Sequence, residues 1–149
     1  MLTRVKDIMT KDILYCTVLD NVYEAAVKMK DGNVGAIPVV LDEHLELVGI
    51  VTDRDLVLRG IAAKKPNSQK VTNVMTTELI TLSEDDTIEK AVDLMGDYQI
   101  RRIPVTNGKT LAGIITLGDV STYEKSNRQA GDALTFISEN EERSGDFLH

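Results

Sequence analysis

The chain has 149 residues, enough for one ordinary globular body; 42% are hydrophobic and only 4% aromatic, with no tryptophan, so its core has to be aliphatic. A formal net charge of −7 repels nucleic acid and anionic lipid at long range. No stretch approaches the ~20 apolar residues of a membrane span, and the single cysteine excludes an internal disulfide.

The N-terminal residues Met1 to Asp7 lack the apolar core of a signal peptide, so a cytoplasmic protein is expected. The run Ile13 to Val18 predicts a strand, in which Cys16 reads as a small buried hydrophobe. Val22, Ala25, Ala26 and Met29 then fall at i, i+3, i+4 and i+7, the buried face of a helix, with Asp20 as the expected N-cap. A strand beginning near Ile37 follows, with Pro38 near its start, where a missing N–H is tolerated. Leu47 to Val51 is nearly continuous in apolar residues, as in a strand covered on both faces, and a second helix is expected from Thr52. Ala62 to Lys70, containing Pro66, Asn67 and Ser68, reads as a linker.

Beyond the linker the chain repeats itself. Val5-Lys6-Asp7-Ile8-Met9-Thr10 returns as Val71-Thr72-Asn73-Val74-Met75-Thr76, and Ile37-Pro38-Val39 as Ile103-Pro104-Val105, both 66 positions on. The helix face returns as Ile88, Ala91, Val92 and Met95, with Asp86 as the expected N-cap and Glu89 completing a capping box. Gly49-Ile50-Val51-Thr52 with Asp55 returns as Gly113-Ile114-Ile115-Thr116 with Asp119, now 64 positions on, so a hairpin loop has lost two residues. In the second copy Asn107-Gly108 marks that hairpin, since both residues tolerate positive φ.

The order is βαββα, twice, an α+β fold. Neither half alone buries much core, so two copies packed sheet to sheet about an approximate two-fold axis are expected. The division is 1–66, 67–125, and a C-terminal extension 126–149. In the extension Ala130, Ala133, Leu134 and Ile137 give one short apolar helix face before an acidic end from Glu139.

Taken together, these words resemble the CBS-domain pair, or Bateman module, of the small stand-alone bacterial type, over roughly residues 5 to 125. The words are Met9-Thr10, Asn33-Val34-Gly35-Ala36-Ile37-Pro38-Val39 and Gly49-Ile50-Val51-Thr52-Asp53-Arg54-Asp55. Their second copies are Gln99-Ile100-Arg101-Arg102-Ile103-Pro104-Val105 and Gly113-Ile114-Ile115-Thr116-Leu117-Gly118-Asp119. The resemblance implies a regulatory module that requires no cofactor for chemistry. It would bind an adenosyl ligand (AMP, ADP, ATP or S-adenosylmethionine) in clefts between the units, pair into a homodimer, and signal to an effector protein.

The resemblance also implies residues. Thr52 with Asp55, and Thr116 with Asp119, would hold the ribose, because a carboxylate accepts from both hydroxyls of a cis-diol. The same spacing is that of a capping box at a helix start; the two roles are compatible if capping by the threonine leaves the aspartate free. Thr17, Val18, Ile37 and Pro38, with Thr81, Leu82, Ile103 and Pro104, would line adenine or else pack in the core. Arg101 and Arg102 stand where the first copy has Gly35-Ala36. They would reach phosphate with paired hydrogen bonds, or form a solvated basic strand edge. This asymmetry predicts that the second copy prefers phosphorylated adenosine. Arg54, in the first turn of a helix, is a second candidate for phosphate, whereas Arg59, Lys64 and Lys65 are expected to face solvent.

No catalytic constellation emerges. His44 and His149 are not spaced for a metal, one cysteine makes no zinc pattern, and neither a phosphate loop nor a nucleophile elbow occurs. A binding module, not an enzyme, is therefore expected. Its alternative is a structural or dimerisation module with empty clefts.

Overall fold

The computed structural model describes residues 3–127. The apolar face expected at Ala130, Ala133, Leu134 and Ile137, and the acidic end after it, lie outside the described residues. In chain order the elements are α1 (Val5–Ile8), β1 (Cys16–Thr17), α2 (Val22–Gly32), β2 (Ala36–Val40) and β3 (Leu47–Thr52). Then come α3 (Asp53–Asp55), running into a π-helical stretch (Leu56–Ile61), and a 3-10 turn (Val71–Asn73). β4 (Leu82–Ser83), α4 (Ile88–Tyr98), β5 (Arg102–Asn107), β6 (Thr110–Thr116) and α5 (Leu117–Ser126) complete the described chain. The mixed α+β order βαββα thus occurs twice, around two three-stranded sheets ordered β1-β2-β3 and β4-β5-β6. No helix among the described residues is long and apolar enough to cross a membrane.

The helices form where the 3.6-residue period places them. Val22, Ala25 and Met29 are buried on α2, and Ile88, Ala91 and Met95 on α4. Ala26, expected on the buried face, is exposed because it falls beyond the edge of the stripe. The caps lie one residue later than expected. Asn21 caps α2, accepting the N–H of Glu24 at 2.8 Å, and Glu24 returns the bond to the N–H of Asn21. Thr87 caps α4 through the N–H of Lys90 at 3.2 Å. Asp20 and Asp86 instead accept the N–H groups of Thr17 and Ser83, at 2.9 and 2.8 Å, closing the turn that leads from strand to helix. Both helices end on a left-handed residue, Asn33 (φ 52°) and Gln99 (φ 55°), and the next N–H bonds back to Met29 or Met95.

The strands are shorter or less buried than expected. β1 and β4 have two residues each, although the N–H of Val18 still bonds to the carbonyl of Val40 at 3.0 Å just past the end of β1. β3 and β6 are not covered on both faces. Gly49 and Val51 are buried while Val48 and Ile50 are half-buried, and β6 alternates the same way. One face of each strand meets its core and the other stays partly open. The second hairpin turns at Gly108 (φ 63°), with Asn107 still in β5.

Two compact units result, and they do not follow a division of the chain at 66/67. One consists of residues 13–80 with Lys109–Leu111; the other takes 3–12, 81–108 and 112–127. The segment that opens each sequence repeat is therefore built into the spatial unit of the other repeat. The physical reason is strand addition. Thr76 and Ile50 exchange both backbone hydrogen bonds, at 2.7 and 2.9 Å, as do Thr10 and Ile114 at 2.8 and 2.9 Å. The apolar residues of the added segments complete the cores. Val71 and Val74 are fully buried with Cys16, Ile37 and Val51, and Val5 with Leu82, Ile103 and Ile115. Burying a valine side chain is worth about 1.5–3 kcal/mol, enough to hold such a segment in place.

Candidate functional site

In the first unit β3 ends at Thr52 and the chain turns at once into α3. The Thr52 hydroxyl accepts the N–H of Asp55 at 3.1 Å, while an Asp55 carboxylate oxygen (Oδ2) accepts the N–H of Thr52 at 3.0 Å. Thr116 and Asp119 repeat the box between β6 and α5, with both bonds at 3.0 Å. The capping role is thus present in both copies. The expectation that it leaves the aspartate free is corrected, because the carboxylate is the reciprocal partner in the box. What remains is the carboxylate's spare acceptor capacity. An ionised carboxylate offers about four lone-pair sites, and the cap uses one.

A second threonine meets each carboxylate. The Thr76 hydroxyl lies 3.4 and 3.3 Å from Oδ1 and Oδ2 of Asp55. The Thr10 hydroxyl stands at the same two distances from Asp119. Glycine makes this approach possible. A Cβ on Gly49 would lie 2.5 Å from the Met75 sulfur and 3.1 Å from the Thr76 carbonyl oxygen. On Gly113 it would lie 2.6 Å from the Met9 sulfur and 2.9 Å from the Thr10 carbonyl oxygen. Thr10 and Thr76 are not among the ligand residues expected from sequence. Their signal was the repeated Met-Thr word, but nothing local ties that word to an aspartate in the other repeat. Asp55 is only 9% exposed.

The remaining expected residues divide sharply. Ile37 and Ile103 are fully buried and Leu82 is 1% exposed, so these side chains are spent in the cores. Pro38 and Pro104 are buried beside them, while Thr17, Val18 and Thr81 are half-buried. The strand registers also realign the two copies. Cys16 faces Val39 as Leu82 faces Val105, which makes Ser83, not Thr81, the counterpart of Thr17. Arg54, Arg101 and Arg102 are exposed, and among the described residues none of them enters an ion pair. The Arg101 carbonyl accepts the N–H of Leu117 at 2.9 Å, as the Gly35 carbonyl accepts that of Asp53, so position 101 is tied to the start of the helix carrying Asp119. Arg59 is exposed, as expected, and its guanidinium also donates to the carbonyls of Val74 and Met75 at 3.2 Å each, clamping the added segment. Cys16 is buried as expected, and burial pushes its thiol up to about 11, against a smaller opposite pull from Lys28.

Two α+β units, each with a Thr-x-x-Asp box at a strand-to-helix turn and a second threonine from the other repeat, define a tandem-repeat module. The family model of the CBS domain matches residues 5–60 and 71–126, and the chain belongs to that family as a CBS-domain pair. It is 60% identical to the uncharacterized protein YlbB of Bacillus subtilis (strain 168), over 99% of this chain and all of that one. Among solved structures it is similar to the CBS domain pair of protein MJ0100 in complex with 5′-methylthioadenosine and S-adenosyl-L-methionine. That match has 30% identity and a TM-score of 0.69, over 85% of this chain and 99% of that one. It is also similar to CBSX2 in complex with AMP, at 26% identity and a TM-score of 0.73, over 84% of this chain and 98% of that one. CBS-domain pairs are in general regulatory, non-catalytic modules, and no catalytic family is indicated.

Proposed function

We propose that this chain is a regulatory module that binds an adenosyl ligand, AMP, ADP, ATP or S-adenosylmethionine, and passes its bound state to a partner protein. One observation carries the reading. The same Thr-x-x-Asp box is built twice, each time with a carboxylate that keeps acceptor sites beyond those its own cap consumes. Ribose hydroxyls are donors suited to those sites. The complexes of MJ0100 and CBSX2 support an adenosyl group over other diols. Arg101 and Arg102, exposed and in no ion pair among the described residues, support a preference for phosphorylated ligand in the second copy, where the first has Gly35-Ala36. A partner protein that prefers one state of the module would read the occupancy, since a ligand shifts only equilibria whose states it binds differently.

A thermal-shift screen with AMP, ATP, S-adenosylmethionine and NAD tests the reading. A true ligand at 100 times its Kd adds about 2.7 kcal/mol, which raises Tm by about 5–10 °C in a domain of this size. Asp55→Asn with Asp119→Asn keeps an acceptor for each cap but removes the charge, and should abolish the shift. If none of the four compounds moves Tm, the second reading, a structural interaction module with degenerate sites, replaces the first.

A further inference from the structure

We infer that Thr10 and Thr76 are positioning residues of the ligand site, each setting the rotation of an aspartate carboxylate so that one oxygen is offered to a vicinal diol. The inference rests on the proposed reading and deepens it. The capping bond fixes only one point of each carboxylate, because Oδ2 accepts the N–H of Thr52 or Thr116. The torsion that turns the carboxylate plane is broad and two-fold, so one bond leaves the other oxygen loosely placed. A hydroxyl at 3.3–3.4 Å from both oxygens supplies the second point. Oδ2 then carries the cap as well as the threonine, while Oδ1 carries the threonine alone. Oδ1 is accordingly the oxygen with room for a sugar's hydroxyls, and the threonine oxygen keeps acceptor lone pairs of its own for one of them.

The threonines are themselves held. Each sits on a segment that exchanges two backbone hydrogen bonds with the strand leading into the box. Each is preceded by a methionine whose sulfur covers a glycine too crowded to accept a Cβ. In the first unit Arg59 adds two bonds to the carbonyls of Val74 and Met75, just before Thr76. The arrangement occurs twice with the same distances, and the residues that build it come from different sequence repeats. Recurrence under those conditions points to a shared task for the hydroxyl rather than to incidental contact.

Calorimetric titration of the full chain with AMP tests this. Thr10→Val with Thr76→Val preserves shape and removes both hydroxyls; it should weaken AMP at least tenfold and shrink the preference for AMP over 2′-deoxy-AMP. Thr10→Ser with Thr76→Ser should restore affinity to within threefold of the wild type, and a role in packing alone would not produce that rescue with an unchanged ligand-free Tm. Should the double variant fail to fold, either single valine variant, which leaves one unit intact, gives the same comparison. Wild-type affinity and wild-type sugar preference in the valine variants would overturn the inference alone. If the wild type bound none of AMP, ATP, S-adenosylmethionine and NAD, the reading beneath the inference would fall, and the inference with it.

Discussion

Cys16 sits in a two-residue strand with none of its surface exposed, so its thiolate would have to form away from water. Its thiol is accordingly pushed up to about 11 from 9.0. The consequence for stability has a definite sign. A group whose proton is held more tightly in the folded state favours folding below its unfolded value, and that contribution fades as pH rises through the folded value. Unfolding should therefore become easier between about pH 9 and pH 11, by on the order of 2 kcal/mol at most from this group. Urea melts of the wild type and Cys16→Ala across that range check it. Lysine and tyrosine titrations are common to both chains, so the wild type should lose more stability than the variant. Parallel losses would show that the thiol is not the cause. The burial of Cys16 was legible because a small apolar side chain in a β-like run has one ordinary place. The exposure of Arg59 was legible too, but not its tether, since the two carbonyl partners lie on a segment 15 and 16 residues away that sequence alone does not bring near.

The helices are where periodicity and capping chemistry agree to within one residue. Asp20-Asn21 and Asp86-Thr87 each offer two side chains able to cap, and sequence does not say which is used. The structure assigns both members of each pair a task. The aspartate ties the end of the strand and the following residue starts the helix. Asn21→Ala should therefore cost about 0.5–2 kcal/mol, the ordinary worth of an N-cap, as measured by urea denaturation. An unaltered midpoint would mean that Glu24 or the linker carbonyls of Gln69 and Asn67, which already accept the N–H groups of Val22 and Tyr23, hold the helix start without it. The strands were harder to read. A run such as Leu47 to Val51 looks the same whether both faces are covered or one, because a half-open face can also carry valine and isoleucine.

At the scale of the molecule the repeat frame and the spatial frame differ. The βαββα order, both Thr-x-x-Asp words and the family were legible because they are local or recur at fixed offsets. The exchange of opening segments was not, because Thr10 pairs with Ile114 across the whole length of both repeats. Of the residues expected to line adenine, Thr17-Val18 and Thr81-Leu82 are two positions out of step for a related reason: register, not sequence order, decides that Thr17 corresponds to Ser83. The proposed ligand recognition belongs to this scale too, since each aspartate meets a threonine delivered by the other repeat. The most direct test is an isothermal titration of the wild-type chain with AMP and, separately, with its 2′,3′-dideoxy analogue. If Asp55 and Asp119 receive the sugar hydroxyls, the analogue binds at least tenfold more weakly. Equal affinity for the two would contradict the assignment.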